Sequence, residues 1–127
     1  MLLHRAGDIV SDKTYEMTML FDFFGELLTE KQREYFDLYY NEDLSLSEIA
    51  ENAGISRQGV RDFICRAEDA LVQTEQKTGI IQKHLYTQAE LSDILDYVSE
   101  IRKISNDDRI SLLADIITAK LESLKEH

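Results

Sequence analysis

Apolar residues recur along this chain at the three- and four-residue spacing of α-helices, and strand-like alternation is almost absent. The pattern predicts a first helix from Lys13 to Leu28 and a second helix that begins after Thr29. It also predicts a long fourth helix that ends near Lys77, where Gly79 marks a break. We therefore predict an all-α protein, built as a helical bundle with a C-terminal helical extension.

The stretch from residue 46 to residue 63 has the spacing of a helix-turn-helix. Gly54 stands where the turn between the two helices needs a positive φ, and Ala50 stands where only a small side chain fits between them. The apolar positions that would join the two helices are Leu46, Ile49, Ala53, Ile55, Val60 and Phe63. This combination predicts the third helix and the beginning of the fourth.

Polar residues at the predicted helix starts agree with these boundaries. Ser45 with Glu48 has the spacing of a capping box, and so has Thr29 with Gln32. Ser56 can cap the second helix of the helix-turn-helix. Each of these hydroxyl groups would accept a hydrogen bond from a backbone N–H that the helix leaves unpaired.

The second helix of such a unit enters the major groove in DNA-binding proteins, and its N-terminal residues lead. Here those residues are Ser56, Arg57, Gln58 and Arg61. Arginine and glutamine at the exposed start of a helix can read the edges of guanine and adenine. The helix-turn-helix pattern also occurs in units that contact only protein. The sequence therefore leaves two hypotheses, a nucleic-acid partner or a protein partner.

The net charge of −11 argues against a protein that clamps DNA without sequence preference, because phosphate affinity comes largely from lysine and arginine. The charge is uneven along the chain. Residues 46–66 carry three acidic and three basic side chains, so the predicted recognition unit is its least acidic part. DNA binding would therefore depend on a few arginines working in a repulsive field.

The spacing divides the chain into a helix-turn-helix domain at residues 13–78 and two C-terminal amphipathic helices at residues 79–127. Their apolar stripes are Leu91, Ile94, Leu95, Val98 and Ile101, followed by Ile110, Leu113, Ile117, Leu121 and Leu124. These helices could fold as a hairpin on the first four or form the seam of a homodimer. We favour the dimer, because the N-terminal part already has a core of its own.

The pattern contains no catalytic, metal or cofactor signature, so we expect a non-enzymatic protein that needs no cofactor. His4, His84 and His127 are dispersed along the chain. The single cysteine, Cys65, cannot form an internal disulfide, and we expect it to be half-buried. No apolar run reaches the roughly 20 residues of a membrane span, and the N-terminus lacks a secretory segment, so we expect a cytoplasmic protein.

Residues 27–71 are similar to the last DNA-binding region of bacterial sigma factors. The shared features are the threonine-led helix TEKQR, the EIA-containing helix-turn-helix and an arginine-bearing helix that ends in a leucine. This resemblance implies a fold like sigma region 4. It would place Ser56, Arg57, Gln58 and Arg61 in the groove, with Arg66 near phosphate.

Residues 20–64 more closely resemble the YlxM family of small helix-turn-helix proteins from Gram-positive bacteria. The likeness lies in LLTEKQ, YY-x-x-DLSL-x-EIA and SRQ-x-V-x-D. YlxM proteins are encoded beside the signal recognition particle GTPase and its receptor, and are proposed to regulate or accompany that pathway. The resemblance therefore implies protein or RNA components of the particle as partners. A DNA-binding transcriptional regulator and a purely structural interaction module remain the alternatives.

Overall fold

The structure, a computed structural model, describes residues 11–127. Six α-helices lie in this range: α1 Ser11–Phe24, α2 Glu30–Tyr40, α3 Leu46–Ala53, α4 Arg57–Thr78, α5 Ile80–Ile104 and α6 Asp108–Glu126. A 3₁₀ turn at Gly25–Leu27 follows α1. The described residues contain no strand, so the prediction of an all-α protein is confirmed. Few apolar residues follow Leu3, which predicts a loose lead-in at residues 1–12. Residues 1–10 of it lie outside the described residues, and α1 already begins at Ser11.

The helices form two compact units, of which the first ends at Ile81 and the second is Gln82–His127. The first unit has one apolar core, drawn from α1 to α4 and the start of α5. Its buried residues are Leu20, Phe24, Leu28, Tyr35, Phe36, Tyr40, Ile49, Ala50, Val60, Ile64, Ala67, Leu71 and Ile81. This core joins the helix-turn-helix to the two helices before it, so α3 and α4 are held from behind.

The aromatic residues of α2 pack against both neighbours. The ring of Phe36 is fully buried and stacks on Phe21 of α1, with the centroids 4.8 Å apart. On the other side Tyr35 meets the edge of Phe63 in α4, at 5.2 Å. Such ring pairs stabilise by about 0.5–1.5 kcal/mol beyond the area they bury. The aromatic residues of α2 thus connect α1 and α4 within the apolar core.

The end of α1 differs from the prediction of a helix to Leu28. The helix stops at Phe24, and the N–H of Leu28 donates to the carbonyl of Gly25 at 3.1 Å in a tighter turn. The reason lies in Thr29, which must be extended, with ψ 161°, to cap α2. A Cβ on Gly25 would lie 3.1 Å from the ring of Phe21, so the close approach at this glycine is to the preceding helical turn.

The second unit contains an antiparallel pair made by α6 and the part of α5 from Gln82 onward. The Nε of Arg102 donates to the carboxylate of Asp115 at 2.6 Å, and the Nζ of Lys125 donates to the hydroxyl of Ser92 at 2.7 Å. Moving ten residues back along α5 thus corresponds to moving ten residues forward along α6. The C-terminal helices therefore form a hairpin, and whether this hairpin packs on the first four helices or on a second copy stays a prediction.

Candidate nucleic-acid interface

The turn between α3 and α4 is built on Gly54, which lies in the left-handed region with φ 72°. The N–H groups of Gly54 and Ile55 both donate to the carbonyl of Ala50, at 2.9 and 3.2 Å. No heavy atom lies within 4 Å of a Cβ added at position 54, so glycine is needed here for its backbone conformation and not for space. This turn sets the direction in which α4 leaves α3.

The contact between the two helices uses the predicted small and branched residues. Ile49 and Val60 are fully buried, and Ala50 is nearly so. Two predictions were wrong, because Ala53 is exposed and the side chain of Ile55 is 38% exposed. Both residues flank the turn. The helical spacing of apolar residues continues through this part of the sequence, but no neighbouring helix covers these two side chains.

Ser56 is the N-cap of α4. Its Oγ accepts a hydrogen bond from the N–H of Gly59 at 2.9 Å, which satisfies one of the unpaired donors of the first turn. A Cβ on Gly59 would lie 3.1 Å from this oxygen, so a larger residue would press on the cap. The hydroxyl hydrogen of Ser56 remains available as a donor to an outside acceptor such as a phosphate oxygen.

The side chains of Arg57, Gln58 and Arg61 are exposed on the first two turns of α4. Among the described residues, no ion pair engages either arginine. Both guanidinium groups can therefore meet a phosphate or a guanine edge without first breaking an internal contact. The positive end of the α4 dipole lies beside them and favours an anion at the same place.

A carboxylate that the sequence analysis did not single out lies on the same face. The Nε2 of Gln58 donates to the Oδ1 of Asp62 at 2.9 Å, one turn further along α4. The i, i+4 spacing of a glutamine and an aspartate could have indicated this pair. Asp62 repels phosphate, and it can accept a hydrogen bond from the amino group of cytosine. The face is thus suited to selective contact better than to general phosphate binding.

Arg66 and Cys65 lie further along the helix. Five residues separate Arg61 from Arg66, so their side chains project about 140° apart around the axis. The structure consequently places Arg66 on the other side of the stripe formed by Gln58 and Asp62. Cys65 is exposed, and the prediction that it is half-buried was wrong. Its neighbour Ile64 is buried, so the next residue points about 100° away, toward solvent.

A polar contact further along the recognition helix fixes α4 to α2. The hydroxyl of Tyr40 donates to the carboxylate of Glu68, and the Nζ of Lys13 lies 3.7 Å from the same group. Burial raises the pKa of Tyr40 above its ordinary value, and the hydrogen bond to Glu68 adds to that rise. Glu68 follows Arg61 by seven residues, so it lies on the same flank of α4, two helical turns further along. The contact therefore holds α4 beyond its exposed N-terminal turns.

A groove of about 330 Å³ lies at the surface of α1 and α2 and is lined mainly by acidic residues. Its lining residues are Phe21, Glu30, Arg33, Glu34 and Asp37. Within residues 11–127, no helix is long and apolar enough to cross a membrane, and no group of side chains is arranged to hold a metal ion.

Comparison with known proteins gives a consistent set of relatives. A family model described as "UPF0122: Putative helix-turn-helix protein, YlxM / p13 like" matches residues 11–116. A UPF0122 protein of Thermoanaerobacter sp. (strain X514) is 43% identical over 108 residues, which are 85% of this chain and 92% of that protein. Another from Acetivibrio thermocellus is 47% identical over 90 residues, 71% of this chain and 77% of that protein. One from Bacillus cereus (strain AH187) is 43% identical over 96 residues, 76% and 87% of the two chains.

Proposed function

Because the chain belongs to the UPF0122 family of YlxM / p13-like proteins, we propose that it is a non-enzymatic regulatory or accessory protein of the signal recognition particle pathway that binds nucleic acid. The observation that carries the nucleic-acid part is the exposed start of α4, where Arg57, Gln58 and Arg61 stand beside the positive end of the helix dipole. The likeness to YlxM proteins, which are encoded beside the particle's GTPase, supports the pathway. The proposed place of action is the cytoplasm.

The acidic groove supports a protein contact in the same pathway. Three carboxylates, one guanidinium and the ring of Phe21 line the groove, so it suits a lysine or arginine side chain of a basic partner. The recognition helix lies elsewhere on the first unit, so one molecule can use both surfaces. Charge reversal in the groove, as in Glu34→Lys, should then lower the affinity for a protein partner and leave nucleic-acid binding unchanged.

A second candidate is a sequence-specific DNA-binding transcriptional regulator that acts as a homodimer. The Gln58–Asp62 pair favours it, because an amide and a carboxylate can discriminate bases, whereas a purely electrostatic surface would need neither. Dimeric helix-turn-helix proteins place two recognition helices one DNA turn apart, about 34–36 Å. Each arginine that neutralises a phosphate lowers the slope of log K for DNA binding against log salt concentration by about one. With three arginines on each chain, this slope should be about −3 per chain.

The test is a binding titration at low and physiological salt with three probes: duplex DNA from the gene's own promoter, random duplex, and the signal recognition particle RNA. Retention by the particle's GTPase is measured beside it. We expect Arg57→Ala to weaken nucleic-acid binding at least tenfold. Arg33→Ala, which removes the same charge from the exposed surface of α2, is the matched control and should leave nucleic-acid binding unchanged.

The outcomes separate the candidates. Saturable, salt-sensitive binding of one promoter site that is lost in Arg57→Ala identifies a DNA-binding regulator. The same behaviour with the particle RNA identifies an accessory protein that contacts RNA. If no nucleic acid binds at low salt and the GTPase is retained, the helix-turn-helix serves as a scaffold for protein contacts, and the nucleic-acid part of the proposal is wrong.

A further inference from the structure

The hairpin of α5 and α6 carries large apolar side chains that are not used inside it. On α5, Val98 is buried, and the residues four before, one before and three after it are Ile94, Tyr97 and Ile101. These three are between 41% and 69% exposed. Their spacing of three and four residues gives a continuous stripe along one side of the helix.

The second helix repeats the same arrangement. On α6, Ala114 is buried, and the same three offsets give Ile110, Leu113 and Ile117, which are between 40% and 56% exposed. Two antiparallel helices are related by an approximate two-fold axis normal to their common plane. Equal offsets from the contact residue therefore bring both stripes to the same side of the hairpin. We call these six residues the hairpin face.

The hairpin face is large for a surface that faces water. Six big apolar side chains at about half exposure present on the order of 500 Å², while a standard interface buries about 800 Å² per partner. Ile104 and Leu124, also exposed, extend the stripes by one and two further turns, respectively. Exposed apolar patches of this size on a monomer commonly mark an interaction site.

We propose that a second copy of this chain covers the hairpin face, so that two hairpins form a four-helix bundle. This deepens the homodimer named with the second candidate function, but it stands on the hairpin alone. Both stripes follow the three–four repeat by which helices pack at shallow angles in bundles. α5 of one copy lies against α6 of the other, and the two copies are related by a two-fold axis.

The charges beside the stripes favour a second copy over a strongly charged partner. Asp93 lies at the outer edge of the stripe of α5, and Lys120 lies at the outer edge of that of α6. Because Ser92 is level with Lys125 in the hairpin, Asp93 is about one helical turn from the level of Lys120. A two-fold arrangement that sets α5 against α6 therefore brings Asp93 of each copy near Lys120 of the other. Residues 82–127 carry nine acidic and six basic side chains, so the unit has no strong charge of one sign to attract an unlike protein.

The test is the mass of the full chain in solution, by light scattering and sedimentation over a range of concentrations. We expect a particle of twice 14.7 kDa for the natural sequence. Leu113→Lys places a charge in the hairpin face and should raise the dimer dissociation constant at least tenfold. Leu112→Lys is the matched control, because the neighbouring leucine is 60% exposed but points about 100° away from the hairpin face.

Ile101→Lys, on the other helix, should act like Leu113→Lys, and circular dichroism reports whether each variant is folded. If the variants fail to fold, dilution of the natural chain answers the question. Amides at 94–104 and 110–124 should then lose protection from hydrogen exchange as the dimer dissociates, whereas those of α3 should not. A monomer at tens of micromolar, or a dimer that both substitutions leave intact, overturns the proposal. A monomer that still binds DNA would refute only the bundle, and a dimer that binds no nucleic acid would refute only the proposed function.

Discussion

Replacement of Tyr40 by phenylalanine isolates the contribution of one hydrogen bond that holds the recognition helix. The substitution keeps the buried ring and removes the donor to Glu68, whose side chain is 17% exposed. Hydrogen bonds to charged groups contribute about 1.5–3 kcal/mol when buried, and partial access of water to Glu68 places this one at about 1–2 kcal/mol. For a chain of this size the melting temperature should fall by about 4–8 °C.

The assay is thermal and urea unfolding followed by circular dichroism at pH 7, at one fixed protein concentration. Tyr39→Phe removes the same hydroxyl from the neighbouring position, which is exposed, and should change stability by less than about 0.5 kcal/mol. A Tyr40→Phe variant as stable as the natural protein would refute the reasoning. It would mean that water compensates the lost bond or that the hydroxyl and carboxylate do not meet.

The same bond predicts how stability depends on alkaline pH. The pKa of Tyr40 in the folded chain is raised above its ordinary value of 10.0, first by burial and then by the bond to Glu68. A raised pKa means that the stabilisation is complete below pH 10 and is lost as the pH rises toward the folded-state value, because only the unfolded chain ionises readily. The difference in the free energy of unfolding between the natural protein and Tyr40→Phe should thus be constant from pH 7 to 9 and become smaller above about pH 10. A difference that grows above pH 10 would contradict the raised pKa of Tyr40.

Two further predictions concern the turn and the recognition face. Gly54→Ala forces a side chain into the left-handed region at φ 72° and should cost about 1–2 kcal/mol in urea unfolding, with Gly54→Asn costing less; an unaltered Ala variant would show that the turn relaxes. Asp62→Asn removes the acidic group from the exposed start of α4 and should raise affinity for random duplex DNA severalfold. The ratio between the affinity for a specific site and the affinity for random duplex should become smaller. Fluorescence anisotropy measures both affinities, and an unchanged affinity for random duplex would mean that this face does not approach DNA.

The elements that the sequence predicted correctly are those set by local chemistry. Thr29 and Gln32 exchange hydrogen bonds at 3.1 and 3.2 Å, and Gly54 has the positive φ expected of it. Each depends on residues within one helical turn of the chain, where spacing alone fixes the geometry. The start of α4 at Arg57 was predictable for the same reason, because Ser56 caps it.

The features that escaped prediction depend on what lies opposite a residue in space. Helical periodicity placed Ala53 and Cys65 toward a core, but a face is buried only where another helix covers it. The bond between Tyr40 and Glu68 joins two helices that the sequence does not show to be neighbours at those positions. The end of α1 was displaced because the capping requirement of α2 outweighs the helical pattern around Leu28.

The two polar bridges of the C-terminal hairpin restrict how this part of the chain can change in length. Arg102 pairs with Asp115 and Ser92 pairs with Lys125, so each pair of residue numbers has the same sum. One residue inserted between Ser92 and Arg102 would turn the earlier half of α5 by about 100° and carry Ser92 out of reach of Lys125. We expect related chains to vary in the connection between α5 and α6 or at the C-terminus, and to keep the spacing between the two bridges equal on both helices.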